Sequence, residues 1–88
     1  MTKIELELKN AAGLHARPAA LFVQKASGFA SKITVQAGDK TADAKSILAI
    51  MSLGLGQGAK FTITADGSDE TACVAALQAL IESNFGEG

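Results

Sequence analysis

Apolar and charged residues alternate strictly from Lys3 to Lys9: Ile4, Leu6 and Leu8 fall on one side, and Lys3, Glu5, Glu7 and Lys9 on the other. A period of two with one apolar face predicts a half-buried strand. Asn10-Ala11-Ala12-Gly13 breaks the pattern. From Ala16 to Ser27 the period becomes helical, with Ala19, Phe22, Val23 and Ala26 in one stripe, and Gly28 is placed to stop the helix. Alternation returns at Lys32 to Gln36, with Ile33 and Val35 inward. Ala37-Gly38-Asp39-Lys40 reads as a turn, and Thr41 to Asp43 as the second arm of a hairpin. Ser46 precedes a short apolar helix from Ile47 to near Leu53, closed by Gly54 and the loop through Gly56 and Gly58. Residues 60–66 alternate again around Phe61 and Ile63. Asp66-Gly67-Ser68-Asp69 then turns the chain and caps a last helix reaching to near Asn84, with Cys73, Val74, Leu77, Leu80 and Ile81 as its stripe and Phe85 beyond.

The predicted order is βαββαβα. Strands with one polar face belong to a sheet covered on one side only. The expected fold is therefore α+β: an open-faced β-sandwich, a four-stranded antiparallel sheet covered on one face by three helices. No repeat, linker or low-complexity tract interrupts residues 1–88, which are expected to form a single domain.

Composition narrows the function classes. With 8 basic and 9 acidic side chains the net charge is -1, and the lysines are scattered. Neither the basic face of a nucleic-acid binder nor a polybasic membrane patch is present. No apolar run approaches the ~20 residues of a membrane span, and the N-terminus lacks the apolar stretch of a signal peptide. A cytoplasmic protein is expected. Cys73 is the only cysteine, which excludes an internal disulfide; among Ala72, Val74 and Leu77 it reads as a small buried hydrophobe.

The chemistry concentrates elsewhere. The only histidine, arginine and proline of the chain fall within Gly13-Leu14-His15-Ala16-Arg17-Pro18-Ala19-Ala20. A helix starting after His15 leaves its first N–H groups unpaired and places partial positive charge there, which stabilises an anion. Pro18 fits the first turn, where its missing N–H is no loss, and Gly13 allows a sharp bend before the imidazole. Arg17 can donate two parallel hydrogen bonds to the same anion. The positive helix end should also push the His15 pKa down, keeping a nucleophilic nitrogen available. The absence of a second acid or base nearby in sequence fits a carrier better than a hydrolase. A plain helix start with a solvated arginine fits the same residues, and on them alone both readings stand.

Gly-Leu-His-Ala-Arg-Pro-Ala at 13–19 resembles the active-site signature of the HPr family, the histidine-containing phosphocarriers of the bacterial phosphoenolpyruvate-dependent sugar phosphotransferase system. Ala44-Lys45-Ser46-Ile47, Met51-Ser52-Leu53-Gly54 and Gln57-Gly58 resemble that family's regulatory-serine segment and the loop after it, so the resemblance covers nearly the whole chain. It implies that His15 accepts phosphate on Nδ1 from phospho-enzyme I and passes it to enzyme IIA. Arg17 and the backbone N–H groups of Ala16 and Arg17 would steady the phosphate. No resident cofactor or metal is implied. Phosphorylation of Ser46 is implied as a regulatory modification, with an HPr kinase/phosphorylase and a catabolite-control regulator as further partners. Ala12 stands where Ser or Asn is common in the family, and Ala20 where Thr is frequent.

Residue by residue, Ser46 reads first as the N-cap of the short helix; a phosphate there would also meet the helix dipole favourably. Arg17, Ala20, Leu21 and Gln24 form a second stripe on the first helix, and Leu48 points away from Ile47, Ile50 and Met51 on the short one. Ala20, Leu21, Gln24, Ile47, Leu48 and Met51 are therefore expected to form a small docking patch. The alternative is that Leu21 or Leu48 folds back into the core. A monomer is expected. Two other readings stay open: a regulatory module recognised when Ser46 is modified, and a metabolite-binding module with a concave pocket away from His15.

Overall fold

The computed structural model describes residues 1–9, 13–14, 16–83 and 85. The elements are β1 (Thr2–Glu7), α1 (Ala16–Ser27), β2 (Lys32–Ala37), β3 (Lys40–Asp43), α2 (Ile47–Ser52), β4 (Lys60–Asp66) and α3 (Glu70–Glu82), in the predicted order. The strands lie in one open sheet, β1-β4-β2-β3, with every neighbouring pair antiparallel. Ile4, Ile63, Val35 and Ala42 pair in a row across all four strands, and Leu6 faces Phe61 on the same side. The adjacent row, Glu5, Thr62, Gln36 and Thr41, belongs to the opposite, polar face. Alternation in sequence thus becomes one covered and one open face, the α+β open-faced sandwich that was expected.

The two longer helices bury the stripes their period predicts, with departures at the edges, whereas α2 buries Ile50 alone. Ala19, Phe22 and Ala26 of α1 are buried and Pro18 joins them, whereas Val23 is only half-buried. In α3, Cys73, Val74, Leu77 and Ile81 are buried and Leu80 is half-buried. Burying a side chain the size of Phe22 stabilises by roughly 1.5–3 kcal/mol. A helix cap contributes about 1 kcal/mol, so packing rather than capping seats α1. The core also draws Leu8, Leu14, Leu53 and Leu55 from between the elements. Burial raises the Cys73 thiol pKa, which suits the structural reading of that residue.

Asp69 differs from expectation. It occupies the N-cap position of α3, but its side chain makes no capping bond there. Its carboxylate instead accepts the Ala30 N–H at 2.8 Å, the Ser31 N–H at 3.0 Å and the Ser31 hydroxyl. Ser31 is the one buried polar residue among those described, just ahead of β2, and a carboxylate that answers several donors at once outcompetes a single cap bond. No helix among the described residues is long and apolar enough to cross a membrane.

Candidate functional site

The segment bearing the candidate acceptor is held from both ends. On its N-terminal side, Gly13 adopts φ +61, a conformation glycine enters without a Cβ penalty. Leu14 is buried and donates its N–H to the Leu55 carbonyl at 2.9 Å. On the other side, Ala16 begins α1; Ala16 and Arg17 are exposed, whereas Pro18 and Ala19 turn into the core. His15 itself, and Ala12 with its family departure, lie outside the described residues. The first turn of α1 holds no acidic side chain, so no carboxylate there competes with an anion for the helix end. Ala20, the other departure, is exposed on α1.

The segment that receives Leu14 follows α2. Besides the Leu14–Leu55 bond, Gly58 N–H donates to the Leu8 carbonyl at 2.7 Å, Leu8 N–H to Ala59 at 2.9 Å, and Gln57 Nε2 to the Lys9 carbonyl at 3.4 Å. Residues 55–59 therefore grip the chain both before and after the break that follows β1. In sequence Gly54, Gly56 and Gly58 mark a loop, with no pattern that gives Leu55 a part. The available signal was an apolar residue set between two glycines.

Ser46 takes the capping role read from the sequence. With φ -115 and ψ 112 it sits just outside α2, and its Oγ accepts the Ala49 N–H at 3.3 Å. Its own N–H reaches the Asp43 carbonyl at 3.1 Å, and Lys45 Nζ reaches the Phe29 carbonyl at 2.8 Å. Replacing Ser46 with alanine is expected to destabilise the protein by about 1 kcal/mol; Ser46→Asp, which keeps an accepting oxygen, should retain most of that. Chemical denaturation midpoints of the three proteins check this.

Of the six proposed patch residues, Leu48 is 76% exposed, Ile47 38% and Met51 39%. Ile50, on the inner side of α2, is fully buried. Ala20 and Gln24 are exposed on α1, while Leu21 is half-buried and packs partly against the core. Because α1 packs against α2, the two stripes lie on neighbouring helices. An open groove of about 520 Å³ adjoins the α1 part of this patch and runs between α1 and α3, lined by Leu21, Gln24, Lys25, Gly28, Phe29 and Leu80. Lys25 is its only charged lining residue, so it lacks the convergent polar groups of a metabolite site. Among the described residues, no cluster of His, Cys, Asp or Glu is placed to hold a metal ion.

The family described as "PTS HPr component phosphorylation site" matches residues 2–83. The phosphocarrier protein HPr of Haemophilus influenzae is 49% identical over 77 residues, covering 88% of this chain and 91% of that protein. The HPr-like protein Crh of Halalkalibacterium halodurans is 45% identical over 82 residues, covering 93% and 98%. Among solved structures, the crystal structure of HPr-C-His from Thermoanaerobacter tengcongensis superimposes with a TM-score of 0.97 at 53% identity, covering 100% of this chain and 99% of that one. A family match over residues 2–83, relatives of nearly the same length and a coincident fold lead to one conclusion: this chain belongs to the HPr family of phosphocarrier proteins.

Proposed function

We propose that the protein carries a phosphoryl group on His15, taking it from phospho-enzyme I and handing it to enzyme IIA components for sugar uptake. The reading is supported chiefly by membership of the HPr family over residues 2–83, together with the signature-like Gly13–Ala19 segment leading into an acid-free helix start that bears Arg17. In the transfer, the imidazole Nδ1 lone pair forms the new P–N bond while the bond to the donor breaks and its electron pair stays with the donor. The helix N–H groups and Arg17 then face a dianion. These groups hold the phosphate without supplying a base to activate water, so the protein acts as a carrier and not as a turnover enzyme. Ala20, Leu21, Gln24, Ile47, Leu48 and Met51 form the transient docking surface for both partners, and a monomer suffices for it.

Incubation with enzyme I, phosphoenolpyruvate and magnesium should add one acid-labile phosphate. Subsequent transfer to a panel of enzyme IIA domains separates a general sugar carrier from a nitrogen-related or fructose-specific one. Arg17→Ala should accept phosphate roughly 10- to 100-fold more slowly, the loss expected for a charge-assisted hydrogen bond worth about 1.5–3 kcal/mol. Rapid-quench measurement of acceptance checks this, with an unchanged unfolding curve as the control.

The similarity to Crh favours a second reading. One solved relative is described as Crh, the Bacillus subtilis catabolite repression HPr, and Crh and the Thermoanaerobacter tengcongensis HPr have also been solved as dimers. On this reading Ser46 is the operative group, and its phosphoform binds a regulatory partner. Capture of a partner by the Ser46 phosphoform alone, with no transfer through His15, would favour it over the carrier.

A further inference from the structure

Two glycine-containing segments, far apart in sequence, meet at closer range than side chains allow. A β-carbon built on Gly13 would lie 2.5 Å from the Leu55 carbonyl oxygen, 2.6 Å from the Gly56 Cα and 2.9 Å from the Gly56 carbonyl carbon. All three are backbone atoms, which cannot rotate aside as a flexible side chain would. Leu55 is itself buried, so the carbonyl that would be struck is fixed by the core. That same carbonyl accepts the Leu14 N–H at 2.9 Å. Gly13 is therefore both a turn residue and one half of a backbone-on-backbone contact.

We propose that the Leu55–Gly56 backbone is a positioning element for the phosphoryl acceptor: it seats Gly13 and Leu14, and through them sets the presentation of His15 to its donor. The inference rests on the carrier reading and assigns it a further part, supplied by the loop after α2. Leu14 adjoins His15 in the chain, and its amide and side chain are both committed, to Leu55 and to the core. Any shift of Leu14 must pass to the next residue. Phosphoryl transfer demands in-line alignment of acceptor and donor, and a misplacement of about 1 Å costs on the order of 100-fold in rate. Gly13→Ala must move the segment off its seat, because the added carbon and the Leu55 oxygen cannot occupy their present positions together. The protein can remain folded while the acceptor is offered wrongly.

The fold contains its own control for backbone strain. Gly38, in the hairpin between β2 and β3, has φ +62, matching Gly13, yet a β-carbon there meets nothing within 4 Å. Gly38→Ala thus imposes the same conformational penalty without a collision. Gly13→Asn does the converse: asparagine tolerates positive φ better than alanine, but keeps the offending carbon. It also provides a variant to assay if Gly13→Ala is too unstable.

The test is single-turnover acceptance of phosphate from phospho-enzyme I at varied donor concentration, with hydrogen exchange at the Leu14 amide in the same proteins. Gly13→Ala and Gly13→Asn should both lose about 100-fold in the saturating rate. Their half-saturating donor concentration should stay near that of the wild type, because the docking patch is untouched. Their Leu14 amide should exchange quickly, whereas Gly38→Ala should match the wild type in rate and protection. A folded Gly13→Asn that transfers at the wild-type rate would overturn the proposal, as would Gly38→Ala slowing transfer equally. If the wild type accepts no phosphate, the carrier reading fails separately; retained Leu14 protection in the Gly13 variants would then refute the seat itself.

Discussion

Replacing His15 with alanine is expected to abolish phosphate uptake from phospho-enzyme I completely, while the unfolding transition stays close to that of the wild type. His15 is the only imidazole in the chain, so no second side chain can form the same acid-labile bond. The substitution leaves Leu14, Ala19, Phe22 and Ala26, the buried residues that seat the segment and α1, unchanged. The loss should exceed that of Arg17→Ala by a wide margin, because deleting a nucleophile removes the bond that forms, whereas deleting the arginine removes one stabilising contact among several. Intact-mass measurement before and after mild acid checks the outcome. Acid-stable phosphate on the variant would indicate a hydroxyl such as Ser46 and would contradict His15 as acceptor.

The largest expected loss of stability belongs to Asp69→Ala, at a residue remote from transfer. The change strips three donors, the Ala30 N–H, the Ser31 N–H and the Ser31 hydroxyl, of one shared acceptor. Ser31 is 1% exposed, so in the wild type its hydroxyl depends on the Asp69 carboxylate and not on water. Losing one acceptor shared by three donors should lower the melting temperature by several degrees, roughly the 4–8 °C that one kcal/mol corresponds to in a domain of this size. The Ser31 hydroxyl, then the Ala30 and Ser31 amides, hold the Asp69 pKa below its ordinary value of 3.8. A depressed carboxylate contributes its stabilisation above the unfolded pKa and loses it as pH falls toward the folded one. The gap in stability between wild type and Asp69→Ala should therefore be full at neutral pH and shrink as pH drops below about 4, where the carboxylate's advantage over a neutral carboxyl is lost. Glu70, lowered by the N-terminal amine and the Thr2 hydroxyl, should leave the variant a residual slope in the same range. Thermal melts across that pH range decide the matter, and a gap independent of pH would contradict the clamp.

The elements were legible because their signals are local. Ala16–Ser27 emerged with the predicted limits, since the 3.6 period runs between an N-terminal proline turn and Gly28. The strands followed from alternation, which ran past β1 because Leu8 continues the pattern and still pairs with Ala59 after the strand ends. Periodicity carries no information between elements, so the burial of Leu14, Leu53 and Leu55 went unread. The same limit applies to Asp66-Gly67-Ser68-Asp69, which reads locally as a turn and cap and hides the role of Asp69. Its actual partners, Ala30 and Ser31, are brought to it only by the folding of β2 against β4. For the candidate site, the clustering of His15, Arg17 and Pro18 identified the residue types that phosphoryl chemistry needs. The platform under Gly13 and Leu14 is out of reach of local patterns, because it depends on two loops about forty residues apart in sequence meeting backbone to backbone.

The carrier reading makes one demand that neither a hydrolase nor a purely regulatory protein meets: the phosphate must stay until a protein acceptor arrives. The direct measurement is a chase. The phosphorylated protein, freed of enzyme I and phosphoenolpyruvate, is divided between buffer and buffer containing an enzyme IIA domain, and phosphate is followed on each protein and in solution. Phosphate should be retained on His15 in buffer, and should appear rapidly and stoichiometrically on enzyme IIA when that domain is present. Release as inorganic phosphate at the same rate in both samples, with none reaching enzyme IIA, would contradict the carrier reading.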